Sequence, residues 1–265
     1  MMHCEFLGVP GSGKSTLRNA LLSSIQGNQN LRCISVEHAF YLIAKSDIDR
    51  IYRILLRLLP EHLGMKLLNK LINRSLLQFE ALNQFLAKYG RSLDAFLSSD
   101  YYAFMTKEDR VSVISTFLQI GSLYECVVDK IPDQTMIVFD EGFIQKSFMF
   151  VSTKKDFEMD RTPVHAYLDQ IPLPHAVIRV RADLGSCYER LMTRQQGLTE
   201  RLRRLNNVQR TKDFLLASEK HIDDVVCWLE TNTQVEVLEV RNDHDMDICL
   251  NDLHKRLKEI FLGPR

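Results

Sequence analysis

A glycine-rich stretch near the start of the chain has the residue types and spacing that hold phosphate groups. Gly8 and Gly13 lie five residues apart and are followed by Lys14 and Ser15, which satisfies the pattern G-x-x-x-x-G-K-[ST]. Glycines let backbone N–H groups approach an anion closely, and a helix that begins near Lys14 adds further N–H donors. The Lys14 ammonium can reach phosphate oxygens, and the Ser15 hydroxyl can ligate Mg²⁺. We therefore expect Mg²⁺ and a nucleoside triphosphate, with ATP favoured and GTP the alternative, to be bound by this loop. The expected binding residues are Gly8, Val9, Pro10, Gly11, Ser12, Gly13, Lys14, Ser15 and Thr16.

Two adjacent acids follow an apolar run in the middle of the chain. Met136 to Phe139 reads as a buried strand, and Asp140 and Glu141 come directly after it. A carboxylate at this position can join the Mg²⁺ shell beside a phosphate loop, and a second one can accept a proton from an attacking group. We assign Asp140 as a metal ligand and both acids as catalytic residues. The alternative is that they only cap the turn after the strand.

Arginines cluster in the last third of the chain. Arg190 and Arg194 are four residues apart, which predicts that they share one face of a helix, and Arg201 lies in the polar run after Gly197. Guanidinium groups are always charged and suit the oxygens of a phosphoryl group in transfer. We expect Arg190, Arg194 and Arg201 to stabilise that group. The alternative is a solvated basic helix face.

The elements that must position these residues are short apolar strands separated by helical patterns. The strands lack strict polar alternation, as expected for a parallel sheet buried on both faces. This pattern predicts an α/β fold with a five-stranded parallel sheet and helices on both faces, within a single domain that spans residues 1–265. The predicted strands are His3–Val9, Arg32–Val36, Thr135–Asp140, Ala176–Val180 and Val235–Val240.

A large helical insert is expected between the second and third strands, at about residues 44–131, where strand signals are almost absent. In an open α/β sheet, additions near the carboxyl ends of the strands line the ligand crevice. The predicted helices start at Ser46 and run to Leu59, run from about Glu61 to Tyr89 with Gly90 as the C-cap, and run from Thr106 to about Asp129.

Composition limits the remaining functional classes. The formal net charge of the 265-residue chain is zero, which argues against nonspecific nucleic-acid binding by the whole surface. The six cysteines form no CxxC pair, and the chain has no apolar run of transmembrane length, so we expect a cytoplasmic location. Residues 47–77 are basic and amphipathic. We favour a solvated helix face there over contact with anionic lipid, and we expect no nucleic-acid partner.

Together, these motifs resemble the nucleoside and nucleotide kinases, with the layout of the thymidylate-kinase-like and deoxynucleoside-kinase-like groups. The resemblance rests on the phosphate loop, the strand that ends in Asp140, the run Glu189-Arg190-x(3)-Arg194, and a last strand that leads into a terminal helix. It implies the sheet order 2-3-1-4-5, a lid at about Gly197–Arg204 and an adenine site near Arg241–Asp243. It also implies ATP, Mg²⁺ and a small-molecule acceptor.

One departure from the family bears on the acceptor. Thymidylate kinases carry Asp-Arg where this chain has Asp140 and Glu141. A carboxylate repels an acceptor phosphate but can accept a proton from an alcohol. The sequence therefore favours a hydroxyl of a nucleoside, sugar or similar molecule over a nucleoside monophosphate. The rival interpretation is a regulatory or assembly ATPase, in which Glu141 would polarise a hydrolytic water.

Overall fold

The computed structural model describes residues 2–25, 32–47, 60, 76–128, 130–132, 135–151, 161–194, 202–203, 207–242 and 246–262. Its centre is a five-stranded sheet in the order β2-β3-β1-β4-β5, in which every neighbouring pair is parallel. The predicted fold class and strand order are therefore confirmed. The strands are β1 (Met2–Leu7), β2 (Arg32–Ser35), β3 (Thr135–Phe139), β4 (Ala176–Arg181) and β5 (Glu236–Arg241).

Helices connect the strands and cover both faces of the sheet. They are α1 (Lys14–Ile25), α2 (Val36–Asp47), α3 (Leu76–Leu97), α4 (Asp100–Phe104), α5 (Lys107–Val128), α6 (Phe143–Lys146), α7 (Arg161–Leu168), α8 (Leu184–Met192), α9 (Val208–Asn232) and α10 (Met246–Leu262). A 3₁₀ helix, Ser147–Phe150, follows α6 directly.

Successive strand residues point to opposite faces, and this divides the core into two clusters. Met136 and Val138 of β3 belong to the cluster that includes residues of α1 and α10. Ile137 and Phe139 belong to the cluster that includes residues of α2, α3, α5, α7 and α9. Every residue of β1 and β3 is buried, including the polar His3 and Glu5 of β1, as expected for central strands of a parallel sheet covered on both faces. A sheet this deeply buried is a rigid base for the loops at its carboxyl edge.

Several predicted boundaries are wrong, for local reasons. Ser46 lies inside the last turn of α2, so no helix starts there. Gly90 does not end a helix, because α3 continues through it to Leu97, and a Cβ at Gly90 would meet no atom within 4 Å. The helix predicted from Thr106 is present as α5, and the Thr106 hydroxyl accepts a hydrogen bond from the N–H of Asp109 at 3.2 Å. The predicted helix over 48–59, the first part of the one over 61–89 and most of the basic segment 47–77 lie outside the described residues.

Among the described residues, one helix is long and apolar enough to cross a membrane by length and composition, and it is α5. Its buried side chains, including Phe117, Ile120 and Tyr124, belong to the main core cluster. Gly121 of α5 faces Phe85 of α3 so closely that a Cβ would lie 2.3 Å from the ring. This packing accounts for the apolar composition of α5 within the fold.

Candidate phosphate-binding and catalytic site

The phosphate loop joins β1 to α1 at the carboxyl edge of the sheet. Gly11 and Gly13 have φ values of +85° and +92°, which glycine adopts without strain. A Cβ on Gly11 would lie 2.4 Å from the Cys187 carbonyl oxygen of α8, and one on Gly13 would lie 2.0 Å from Nδ2 of Asn242. Both glycines are thus required by backbone conformation and by close neighbours. The loop leads into the N-terminus of α1, whose first-turn N–H groups have no acceptor within the helix.

The Lys14 side chain folds over its own loop. Its Nζ donates to the carbonyl oxygens of Gly8 at 2.7 Å and Val9 at 3.2 Å. Burial lowers the pKa of Lys14 to about 8, although the nearby charges of Glu141 and Asp140 oppose that shift. The ammonium is therefore held at the mouth of the loop, close to both acids.

The carboxyl end of β3 brings Asp140 beside the first turn of α1. Phe139, the last residue of β3, pairs with Glu5 of β1, so both strands end at the same edge of the sheet. Asp140 therefore lies close to the start of the phosphate loop. Ser15 Oγ donates to Asp140 Oδ2 at 3.1 Å, and Nη1 of Arg18 lies 3.6 Å from the same oxygen. A hydroxyl and a carboxylate are hard oxygen donors of the kind that Mg²⁺ takes beside phosphates, and the rest of its shell is supplied by water and substrate. The two side chains therefore fit a Mg²⁺ ion.

Glu141 is exposed at the same edge and is paired with a lysine. Nζ of Lys146 donates to Oε2 of Glu141 at 2.7 Å. Burial would raise the pKa of Glu141, but the charge and hydrogen bond of Lys146, with smaller contributions from Lys14 and Arg194, hold it below its ordinary value. Glu141 is therefore an ionised carboxylate with a fixed partner.

The predicted arginines differ in their placement. Arg190 is exposed in the last turn of α8, and its Nη2 lies 3.5 Å from the carbonyl oxygen of Asn242. Arg194 is exposed two residues beyond the end of α8, so the predicted shared helix face is wrong. Thr193 is the C-cap of α8, and its hydroxyl donates to the carbonyl of Glu189 at 3.0 Å. Arg194 is still close enough for its charge to affect the pKa of Lys14 and Glu141, whereas Arg201 lies outside the described residues.

The loop after β5 closes one side of the phosphate loop, and the part of it that the structure describes ends at Asn242. Nδ2 of Asn242 donates to the carbonyl oxygen of Ser12 at 2.8 Å, and its backbone N–H donates to the carbonyl of Arg181 at 2.8 Å. Asn242 therefore connects β4, β5 and the phosphate loop. Asp243, which belongs to the predicted adenine site, is not among the described residues.

Sequence reasoning missed several residues of this site. Arg18 and Lys146 are ordinary surface cations in the sequence, and no motif marks Gln145. Asn242 lies within the stretch Arg241–Asp243 predicted to be near the adenine, but nothing in that stretch predicts its contact with the phosphate loop. Glu5 carries a visible signal, because an acid in the middle of an otherwise apolar strand needs a buried partner. Its partners lie more than 130 residues away in the chain, so the signal names no role.

The sequence matches no protein-family model and no curated protein. The fold, however, is shared with solved structures. A thymidylate kinase from Candida albicans covers 97% of this chain and 91% of its own, at 12% identity and a TM-score of 0.50. Structures of a deoxyadenosine kinase from M. mycoides, one with dCMP and a flexible dCDP bound and one with dATP bound, give 15% and 13% identity and TM-scores of 0.44 and 0.46. They cover 98% and 97% of this chain and 100% of the other chain. The chain therefore shares its fold with the thymidylate kinase, as the sequence predicts.

Proposed function

We propose that the protein is an ATP-dependent phosphotransferase that moves the γ-phosphoryl group of ATP to a hydroxyl of a nucleoside, sugar or similar small molecule. The observation that carries this proposal is the hydrogen bond from the Ser15 hydroxyl to the Asp140 carboxylate at 3.1 Å, with the ionised Glu141 as the next residue in the chain. Phosphate loop, metal ligands and a basic carboxylate thus lie at one edge of the sheet. The kinase fold shared with a thymidylate kinase supports phosphoryl transfer as the reaction class.

The phosphates of ATP would lie against the loop 8–15 and the N-terminus of α1. Backbone N–H groups hold the phosphate oxygens there, and Lys14 leaves the carbonyls of Gly8 and Val9 to pair with the outer phosphates. The N–H groups and Lys14 orient the transferring group for in-line attack. Because the transition state of phosphoryl transfer is loose, such positioning and charge stabilisation supply most of the catalysis.

The oxygen atoms of Ser15 and Asp140 would hold Mg²⁺. When bound there, the ion neutralises charge on the phosphates. Arg18 partly balances the charge of the Asp140 carboxylate, since its Nη1 is 3.6 Å from Oδ2. Arg190 in α8 and Arg194 just after that helix supply positive charge near the phosphate loop. Arg201 belongs to the same proposal from the sequence alone.

Glu141 is the proposed base for the acceptor hydroxyl. Its carboxylate is exposed, so an acceptor can reach it, and the pairing with Lys146 keeps it ionised. A negatively charged group at this position disfavours an acceptor that carries its own phosphate, which makes a nucleoside monophosphate the weaker candidate. The same carboxylate could polarise water, and this geometry is the basis of the competing ATPase interpretation.

The test is an assay with ATP labelled in its γ-phosphoryl group. Purified protein is incubated with Mg²⁺ and labelled ATP alone, and then with separate pools of nucleosides, nucleoside monophosphates, sugars and small alcohols. Free phosphate and labelled products are measured in each mixture. We expect little release of phosphate alone and one labelled product from a hydroxyl-bearing pool. Steady phosphate release that no pool alters would overturn the kinase proposal in favour of an ATPase, and label in the monophosphate pool alone would overturn the hydroxyl acceptor.

A further inference from the structure

The segment that follows β3 and carries Asp140 and Glu141 is held by two buried contacts, one to β1 before the phosphate loop and one to the first residue of that loop. One attachment is Glu5, which is fully buried in the middle of β1. Its Oε2 accepts a hydrogen bond from the backbone N–H of Ile144 at 2.7 Å. This N–H belongs to the first turn of α6, which begins three residues after Asp140. Glu5 therefore caps the helix that follows both catalytic acids.

Gly142 makes this attachment possible. It lies between Glu141 and α6, and a Cβ at this position would be 2.1 Å from Cδ of Glu5. No side chain fits between the chain at 142 and the buried carboxylate. The backbone at Gly142 therefore packs directly against the Glu5 carboxyl group, and this contact fixes the position of the chain between Glu141 and α6.

A second attachment joins the same helix to the phosphate loop. Oε1 of Gln145 accepts a hydrogen bond from the backbone N–H of Gly8 at 3.1 Å, and both partners are buried. Gly8 is the first residue of the loop, and its carbonyl oxygen accepts from Lys14. One short helix therefore contacts the strand before the loop through Ile144 and the loop itself through Gln145.

These contacts act on the two halves of the site at once. Asp140 and Glu141 come just before α6 in the chain, and Lys146, the partner of Glu141, is the last residue of α6. Gln145 accepts a hydrogen bond from Gly8, the first residue of the phosphate loop, and Lys14 and Ser15 are at the end of the same loop. A displacement of α6 would move the acids relative to the lysine and the hydroxyl, and a shift of about 1 Å in such a site can cost about a hundredfold in rate.

We infer that Glu5 and Gln145 are positioning residues, which set the distance between the acidic segment 140–141 and the phosphate loop without touching the reacting groups. The inference rests on the proposed phosphotransferase function, because its main readout is turnover. Burial also raises the pKa of Glu5 to about 8, against the N–H groups of Ile144 and Phe143 and the charge of Lys146, so the neutral acid is its main form near pH 7. Glutamine is therefore a close mimic of the buried side chain, whereas methionine has a similar size but no acceptor for an N–H group.

The experiment compares Glu5→Gln, Glu5→Met and Gln145→Met with Leu229→Ala as a control for lost stability. Leu229 is fully buried near the end of α9. That end of α9 leads into the amino end of β5, at the edge of the sheet opposite the site. Each variant is assayed for kcat, for KM of ATP and acceptor, for Mg²⁺ dependence and for Tm, at a temperature well below every Tm. Glu5→Gln should keep kcat within about threefold of wild type, and the two methionine variants should lose at least about tenfold in kcat. Leu229→Ala should lower Tm with kcat unchanged.

Two results would overturn the inference. In the first, both methionine variants keep the kcat of wild type. In the second, they lose kcat, but Leu229→Ala loses as much kcat for the same decrease in Tm. If Glu5→Met does not fold, Gln145→Met decides the matter, since it leaves the cap of α6 intact. A failure of the proposed function is separate, because the wild-type protein itself would then transfer no phosphoryl group. In that case, the same variants are compared through the Mg²⁺-dependent affinity for ATP, which the inference also expects the methionine variants to lose.

Discussion

The Ser15 hydroxyl donates to the Asp140 carboxylate at 3.1 Å, although the two residues are 125 positions apart in the chain. The contact follows from topology. Strands β1 and β3 are parallel neighbours in the sheet, so the loop after β1 and the acid after β3 emerge at the same edge. This edge is where ligands bind in open α/β sheets. The pair is therefore the clearest target for a test of metal dependence.

Asp140→Asn and Ser15→Ala should weaken the response of turnover to Mg²⁺. Each change removes one hard oxygen ligand or its charge, so the Mg²⁺ concentration for half-maximal rate should rise at least about tenfold, with a loss of kcat of similar or larger size. The measurement is a titration of the initial rate with Mg²⁺ at fixed ATP. Thr116→Ala is a suitable control, because its hydroxyl bonds within α5 to the carbonyl of Ser112. An unchanged Mg²⁺ titration in Asp140→Asn would remove Asp140 from the metal site.

Lys14→Ala should abolish turnover with little effect on folding. Within the described parts of the chain, its ammonium donates to the carbonyls of Gly8 and Val9, and an interaction with the transferring group is worth well over tenfold in rate. The measurements are kcat by the labelled-ATP assay and Tm by calorimetry. Lys107→Ala, an exposed lysine at the start of α5, is the matched control. A Lys14→Ala protein that keeps more than about a tenth of wild-type turnover would contradict the assigned role.

Glu141→Gln should damage transfer more than it damages ATP binding. The amide keeps the size of the side chain but cannot take a proton from an acceptor, so a loss of about 10²–10⁴-fold in kcat is expected with ATP affinity within a few-fold of wild type. Lys146→Met tests the partner separately, since it leaves the carboxylate in place without its 2.7 Å ion pair. The checks are single-turnover rates and ATP affinity by calorimetry. Equal losses of binding and transfer in Glu141→Gln would rule out its role as the base.

The phosphate loop and the strands can be predicted because each is contained in a short stretch of sequence. The loop needs its residues at fixed spacing, and the buried parallel strands appear as apolar runs, whereas the strand order comes from the resemblance to the kinase family. The strand ends have no such local signal. Val36, predicted to end the second strand, begins α2, because an apolar residue fits a buried strand and a buried helix start equally well.

The rest depends on contacts between distant segments. Nothing near Glu5 in the sequence indicates that it caps α6, and nothing near Asn242 indicates that its amide fills the space above Gly13. Gly90 illustrates the opposite error. Its type suggested a helix end, but α3 is held on both sides of it by buried Phe85 and Phe96, and tertiary packing outweighed the weak helix propensity of one glycine.

Two glycine substitutions should have opposite effects on stability. Gly90→Ala should raise the free energy of unfolding by about 0.5–1 kcal/mol, because alanine favours a helix and its Cβ meets nothing within 4 Å. Gly13→Ala should lower that free energy by at least about 1 kcal/mol, because φ is +92° there and the new Cβ would lie 2.0 Å from Nδ2 of Asn242. Chemical denaturation of both variants checks the pair. Equal stability of Gly13→Ala and wild type would show that the loop can relax around a side chain.

The buried carboxyl of Glu5 should make stability fall as pH rises from about 4.5 to about 8. Its folded pKa is raised from 4.5 to about 8, so between these values the folded state holds a proton that the unfolded state has lost, and stability decreases as pH rises. His3 acts in the opposite direction, since burial and the charge of His175 lower its pKa to about 3, and its effect levels off about one pH unit above 6.5, where unfolded histidine titrates. Lys14, with a pKa lowered to about 8, contributes from about one pH unit below that value upward.

The interval from about pH 6.5 to 8 is the one to compare between wild type and Glu5→Gln, because His3 and Lys14 titrate in both proteins and only Glu5 differs. Wild type should lose about 2 kcal/mol across it relative to Glu5→Gln, which has no proton to lose. The measurement is the free energy of unfolding in urea for both proteins at several pH values, with the difference plotted against pH. His254→Gln serves as a control, because that ring lies on α10 and bonds to Ser24 of α1, away from Glu5. A difference that stays flat from pH 6.5 to 8 would mean that Glu5 is ionised in the folded protein, and that the charged carboxylate, rather than the neutral acid, caps α6.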